Sequence, residues 1–173
     1  MADTSTIKEA FERNERKLTE NPAIGLKTGS ASIHLRDGLA CDIEVGPWKF
    51  TTDMPKNVGG NETGPKPGHL AAGALGSCLA VMVGLFAAKL DVPIDDLTVD
   101  VEFDSDARVL FAVGDPPARW RAIRYRITAE STAPEADVRH VLDLAHHWSH
   151  VRGDFEHPFT IEREVNIVTP VQS

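Results

Sequence analysis

From Leu70 to Ala88 the chain reads "LAAGALGSCLAVMVGLFAA", nearly free of polar side chains, and the segments around it follow other periods. Ahead of it, Ile7, Ala10, Phe11 and Leu18 are spread among charges at helical spacing, with Thr4 or Ser5 available as a cap; this predicts a helix to about Glu20, stopped before Pro22. "SASIHLRDG", "LACDIEVG" and "WKFTTD" alternate and are punctuated by turn residues, predicting a three-stranded meander over residues 30 to 53. Residues 54 to 66, rich in Gly, Pro and Asn, form a loop. Pro67 suits a first helical turn and opens a long helix to about Leu90.

Beyond it, "LTVDVEF" alternates strictly, and "RWRAIRYRITAES" predicts a long strand with Trp120, Ile123, Tyr125 and Ile127 on one face and Arg119, Arg121, Arg124 and Arg126 on the other. "APEADVRHVLDLAHHW" has a helical period with Val138, Val141, Leu142 and Leu144 to bury, and "HPFTIEREVNIV" predicts a final strand. Strands and helices do not alternate one for one, so the fold class is α+β with a mostly antiparallel sheet.

The central run is 19 residues long, enough to span a bilayer, but eleven of those residues are Ala, Gly, Ser or Cys and no basic cluster follows. It reads as a buried core helix. Being apolar on nearly every face, it needs cover that a chain of 173 residues rarely provides alone, and its small residues admit a second backbone at close range. An intertwined homodimer is expected.

Charge narrows the partners. The net charge is −8 and no basic block occurs, which argues against nucleic acid and against a membrane surface. The start, "MADTSTIKEAFERNERK", has no apolar signal region, and the two cysteines, Cys41 and Cys78, make no disulfide framework; a cytoplasmic setting with reduced thiols is expected.

Few residues then carry candidate chemistry. Cys78, in the middle of the apolar helix, is either a small hydrophobe in a tight crossing or a nucleophile; the second role needs a cation from elsewhere in the chain. In "AHHWSH", His146 and His150 are four apart, on one face of a continuous helix, yet neither HExxH nor paired cysteines accompany them, so no metal is assigned. Gly59, Gly60 and Gly64 match no phosphate-binding fingerprint, and Ser77 lacks the strand-turn of a nucleophile elbow.

Three segments together resemble the OsmC/Ohr family of osmotically inducible and organic hydroperoxide resistance proteins. They are "RDGLA" at 36 to 40, "GGNETGPKPGHLAAGALGSC" at 59 to 78, and "AHHWSHV" at 145 to 151, similar to the family's Ala-His-x-x-Cys-Pro segment. The resemblance implies an intertwined homodimer with sites at the interface, no cofactor, and a thiol peroxidase chemistry. Cys78 would attack a hydroperoxide and become a sulfenic acid, and Arg36 would activate the thiol. This chain departs from the family at two places. Ser149 stands where the second, resolving cysteine belongs, followed by His150 in place of proline; Gly68 and His69 stand where a carboxylate commonly follows the proline.

The expectation is therefore an N-terminal helical appendage over residues 1 to 28 and an OsmC-like domain over residues 29 to 173. It would reduce organic hydroperoxides through Cys78 and Arg36, with Ser149, His69, His146 and His150 lining the site and an external thiol as reductant. The alternative is a non-peroxidatic small-molecule-binding or stress protein that has lost the two-cysteine cycle and takes an apolar ligand.

Overall fold

A computed structural model describes residues 4–36, 38–157 and 159–169. Helix α1 spans Thr4–Glu20 and ends where Pro22 begins a short 3-10 turn. Strands β1 (Ser32–Leu35), β2 (Cys41–Val45) and β3 (Trp48–Thr52) pair antiparallel in that order, with Ile33 opposite Ile43 and Ile43 opposite Phe50. Helix α2 follows at Pro67–Lys89, then strand β4 (Asp96–Asp104), the short helix α3 (Ala107–Leu110), strand β5 (Ala122–Glu130) and helices α4 (Glu135–Trp148) and α5 (His150–Glu156).

Helix α2 forms because Pro67 occupies its first turn and no further proline interrupts a run rich in Ala and Leu; it ends where Asp91 turns with φ 54° ahead of Pro93. One face lies on the β4–β5 hairpin. There Gly76 matters: a Cβ at that position would come within 3.1 Å of the Val101 side chain, so glycine lets the helix approach this closely without displacing Val101. The hairpin alternates as its sequence does. Leu97, Val99, Val101 and Phe103 pair with Ala129, Ile127, Tyr125 and Ile123 on the inner face, and Asp100 and Glu102 face Arg126 and Arg124 outside.

Another face of α2 meets α4. Val83, Phe86, Ala87, Val141 and Ala145 are buried together, and Phe11 of α1 packs on this cluster with its ring 5.8 Å from that of Phe86. Burying side chains such as Leu79 and Val83 completely stabilises the fold by about 2 kcal/mol each. Lys89 pairs with Glu15 at 2.5 Å and lies over the Phe11 ring, so α1 is fastened to the far end of α2, about eleven residues past Cys78. It does not cover the thiol.

The membrane-length helix is thus a core helix of this fold, though incompletely covered. Gly73, Ser77, Val81 and Gly84 form an exposed line along it, with open space at both glycines. The β1–β3 sheet is also bare: its strands contact chiefly one another, and Ile33, Leu35 and Trp48 are exposed.

Three expectations are corrected. Residues 159–169 form no strand; Phe159, Ile161 and Ile167 keep their alternation but are exposed, because alternation supplies a pattern and not a ladder partner. Strand β5 begins at Ala122, so Trp120 and Arg119 precede it and Trp120 does not share the face of Ile123. The helix bearing the histidines breaks at Ser149 (φ −71°, ψ 103°), which places His146 on α4 and His150 on α5 and removes the single face assumed for them.

Candidate thiol site

The glycine-rich segment before α2 sets where the helix starts. Asp53, buried at the end of β3, accepts hydrogen bonds from Met54 N (2.7 Å), Asn61 N (3.0 Å), Thr63 N (3.1 Å) and Thr63 Oγ1 (2.9 Å). The Thr63 backbone donor, with the others behind it, holds this carboxyl below the usual carboxylate range against the opposing effect of burial. Gly60 and Gly64 are required by packing: a Cβ at either would collide with the Met54 or Thr51 carbonyl. The loop is a folded strap that leads directly into Pro67.

Eleven residues into α2, Cys78 is half-buried where α5 crosses. Ser149, only 1% exposed, sits at the break between α4 and α5 and donates its hydroxyl to Cys78 Sγ at 3.3 Å. The same oxygen caps α5, accepting from Arg152 N at 3.5 Å. His150, the first residue of α5, holds Nδ1 3.7 Å from the same sulfur. A thiol between a hydroxyl donor and an imidazole has what a nucleophilic sulfur needs: stabilisation of the anion and a place for its proton.

The other candidates lie elsewhere. His146 faces β5, its Nδ1 2.5 Å from the Tyr125 hydroxyl, and burial raises the Tyr125 phenol above its ordinary value. Arg152 donates to the His146 carbonyl at 2.7 Å and also to the Glu156 carboxylate, and this second hydrogen bond holds Glu156 below the usual carboxylate range. His69, in the first turn of α2, packs against the Phe103 ring at 5.9 Å; nine residues of helix separate it from Cys78 by about 13 Å. Arg36, just past β1, pairs with Asp42 at 2.9 Å on the bare sheet, and no described contact joins it to Cys78 within the chain. Asp37 of the "RDG" segment lies outside the described residues.

The structure thus brings together Cys78, Ser149 and His150, and not Arg36, His69 or His146. Sequence reasoning missed the aromatic stack beside them. Trp120 is sandwiched between Phe103 (4.5 Å, 22°) and Phe155 of α5 (5.5 Å, 13°) and lies over Gly68, the position left without a carboxylate, where a Cβ would come 3.4 Å from its ring. A cavity of about 540 Å³ beside Trp120, lined by Asp106, Arg108 and Arg119 among others, does not include Cys78.

A half-buried thiol on a long small-residue helix, packed between an antiparallel hairpin and two helices, defines a thiol-bearing α+β domain. Residues 59–164 match the family model described as OsmC-like protein, and the chain belongs to that family. Solved structures agree on the fold. An OsmC-like protein from Mycoplasma pneumoniae superposes with TM-score 0.65 at 15% identity, over 76% of this chain and 89% of that one. An organic hydroperoxide resistance protein OsmC from Legionella pneumophila gives 0.57 at 17% identity, over 75% and 90%. An OsmC-like protein of unknown function from Vibrio cholerae gives 0.57 at 14%, over 75% and 94%. No curated protein matches the chain.

Proposed function

We propose that this protein is a thiol-dependent peroxidase that reduces organic hydroperoxides through Cys78 and works as a homodimer in the cytoplasm. The observation that carries the reading is the placement of Cys78 against Ser149 and His150, on the helix and at the positions that resemble the family's two-cysteine site. The Cys78 thiolate attacks the distal oxygen of ROOH; the O–O bond breaks, an S–O bond forms, and the products are Cys78 sulfenic acid and ROH. Ser149 cannot form a disulfide, so an external thiol R′SH attacks the sulfenic sulfur and releases water. A second R′SH then frees Cys78 as R′SSR′ leaves.

The homodimer reading draws on two bare surfaces, the line Gly73–Ser77–Val81–Gly84 on α2 and the β1–β3 sheet, which would cover one another if the sheet of one copy crossed to the helix of the other. Such a crossing would also carry Arg36 toward a neighbouring Cys78, where a guanidinium stabilises both thiolate and departing alkoxide. The reading of residues 1–28 as a helical appendage draws, among the described residues, on α1, which bears on the end of α2 past the thiol.

Turnover of cumene hydroperoxide with a set of monothiol and dithiol donors tests the reading, with dimedone trapping and mass spectrometry at Cys78. Consumption that is lost in Cys78→Ser and kept in Cys41→Ser is expected. An unoxidised Cys78 and no turnover with any donor would overturn it. The alternative, a protein that binds a small apolar ligand without redox turnover, draws on the absence of a resolving thiol at Ser149 and would then stand.

A further inference from the structure

Resting on that reading, we infer that His150 is the proton partner of Cys78: a catalytic acid–base that takes the thiol proton and returns it to the leaving alkoxide. The ring Nδ1 is 3.7 Å from Sγ, within the range of a sulfur hydrogen bond, while Arg36 is held by Asp42 on another element. His150 is exposed and Cys78 half-buried, so the imidazole can exchange protons with water.

The surroundings leave the pair to itself. The titratable and charged groups on the neighbouring elements are Cys78, His69 and Lys89 on α2, Glu135, Asp137, Arg139, His140, Asp143, His146 and His147 on α4, and Arg152, Asp154 and Glu156 on α5. Of these, Arg152 and Glu156 pair with each other, Arg139 pairs with Glu135, and His146 is bound to Tyr125; among the described residues, Cys78 is the group in contact with the His150 ring.

The proton bookkeeping closes. His150 Nδ1 accepts the proton of the Cys78 thiol, the thiolate attacks the distal oxygen of ROOH, and the O–O bond cleaves heterolytically. His150 then gives its proton to the alkoxide, leaving ROH, Cys78–SOH and a neutral imidazole. Sulfur is oxidised by two electrons and the peroxide reduced by two. Ser149 donates to the sulfur, and its neutral hydroxyl is far too weak a base to take this proton, which leaves the imidazole as acceptor.

The test compares wild type, His150→Gln and His150→Lys over a pH series, with two readouts: iodoacetamide alkylation of Cys78, which needs only the thiolate, and single-turnover oxidation by cumene hydroperoxide, which also needs the acid. His150→Gln should slow alkylation about tenfold near pH 6.5 and move its profile upward by about one pH unit. Peroxide oxidation should be bell-shaped in wild type and lose its descending limb in both variants, with His150→Lys restoring alkylation near neutrality but not the limb. Alkylation unchanged in His150→Gln overturns the inference. If alkylation slows as expected but wild type consumes no hydroperoxide, the Cys78–His150 pair stands and the peroxidase reading falls instead.

Discussion

Ser149 Oγ donates to Cys78 Sγ at 3.3 Å across 71 residues of chain, from a hydroxyl that is almost wholly buried. A sulfur in the place of that oxygen would need to close by roughly 1.2 Å to reach the ~2.05 Å of a disulfide. Ser149→Cys should therefore form a bond to Cys78 on treatment with one equivalent of hydroperoxide. Thiol titration and mass spectrometry should show both thiols lost and no dimedone adduct, where wild type keeps a trappable sulfenic acid. Turnover should shift in favour of dithiol reductants. A persistent sulfenic acid in Ser149→Cys would mean that the break between α4 and α5 cannot bring a sulfur to Cys78.

How much of this arrangement was legible depends on the range of the forces involved. Helix α2 could be read to its ends, because Pro67 and the apolar run are local signals, and the β4–β5 hairpin could be read from its period of two. The break at Ser149 could not, since Trp148, Ser149 and His150 include neither Pro nor Gly and the bond to Cys78 joins distant segments. The same holds for Trp120, assigned to the face of Ile123, which leaves the strand to stack between Phe103 and Phe155. Residues 159–169 show the opposite failure: a sound alternation with nothing described to pair with it.

The bare line on α2 predicts where a second copy sits. Wild type should sediment at twice its 18.9 kDa. Gly73→Leu adds a side chain into open space, and Val81→Glu changes a residue 59% exposed, so neither should cost the single chain more than about 0.5 kcal/mol. Both should nevertheless yield monomers, because small residues are what permit two helices to approach. Leu79→Ala, at a fully buried position, should instead lower stability by about 3 kcal/mol whatever the association state. A wild type that sediments as a monomer would remove the dimer and the route by which Arg36 could reach a thiol.

The Phe103–Trp120–Phe155 stack ties α5, and with it His150, to strand β4. Trp120→Ala should lower stability by about 3 kcal/mol, since it removes both ring contacts and leaves a gap over Gly68. Hydrogen exchange should show the loss concentrated in residues 150 to 156, with α1 unaffected. Uniform exchange across the chain would mean that the stack supports the whole fold and not α5 in particular.

Asp53 gives the pH dependence of the strap that positions α2. Its carboxyl titrates below the ordinary range in the folded chain, chiefly through the Thr63 backbone donor. A carboxylate depressed on folding contributes stability that is complete above the unfolded value and is lost as pH falls through the folded one. Asp53→Asn keeps the shape but turns an amide toward backbone donors, leaving some of the four hydrogen bonds unmade. In urea unfolding, the gap between wild type and Asp53→Asn should be wide at neutral pH, constant down to the ordinary carboxylate range, and narrow progressively below it. A gap that stays the same in acid would mean that the side chain acts through its shape and not its charge.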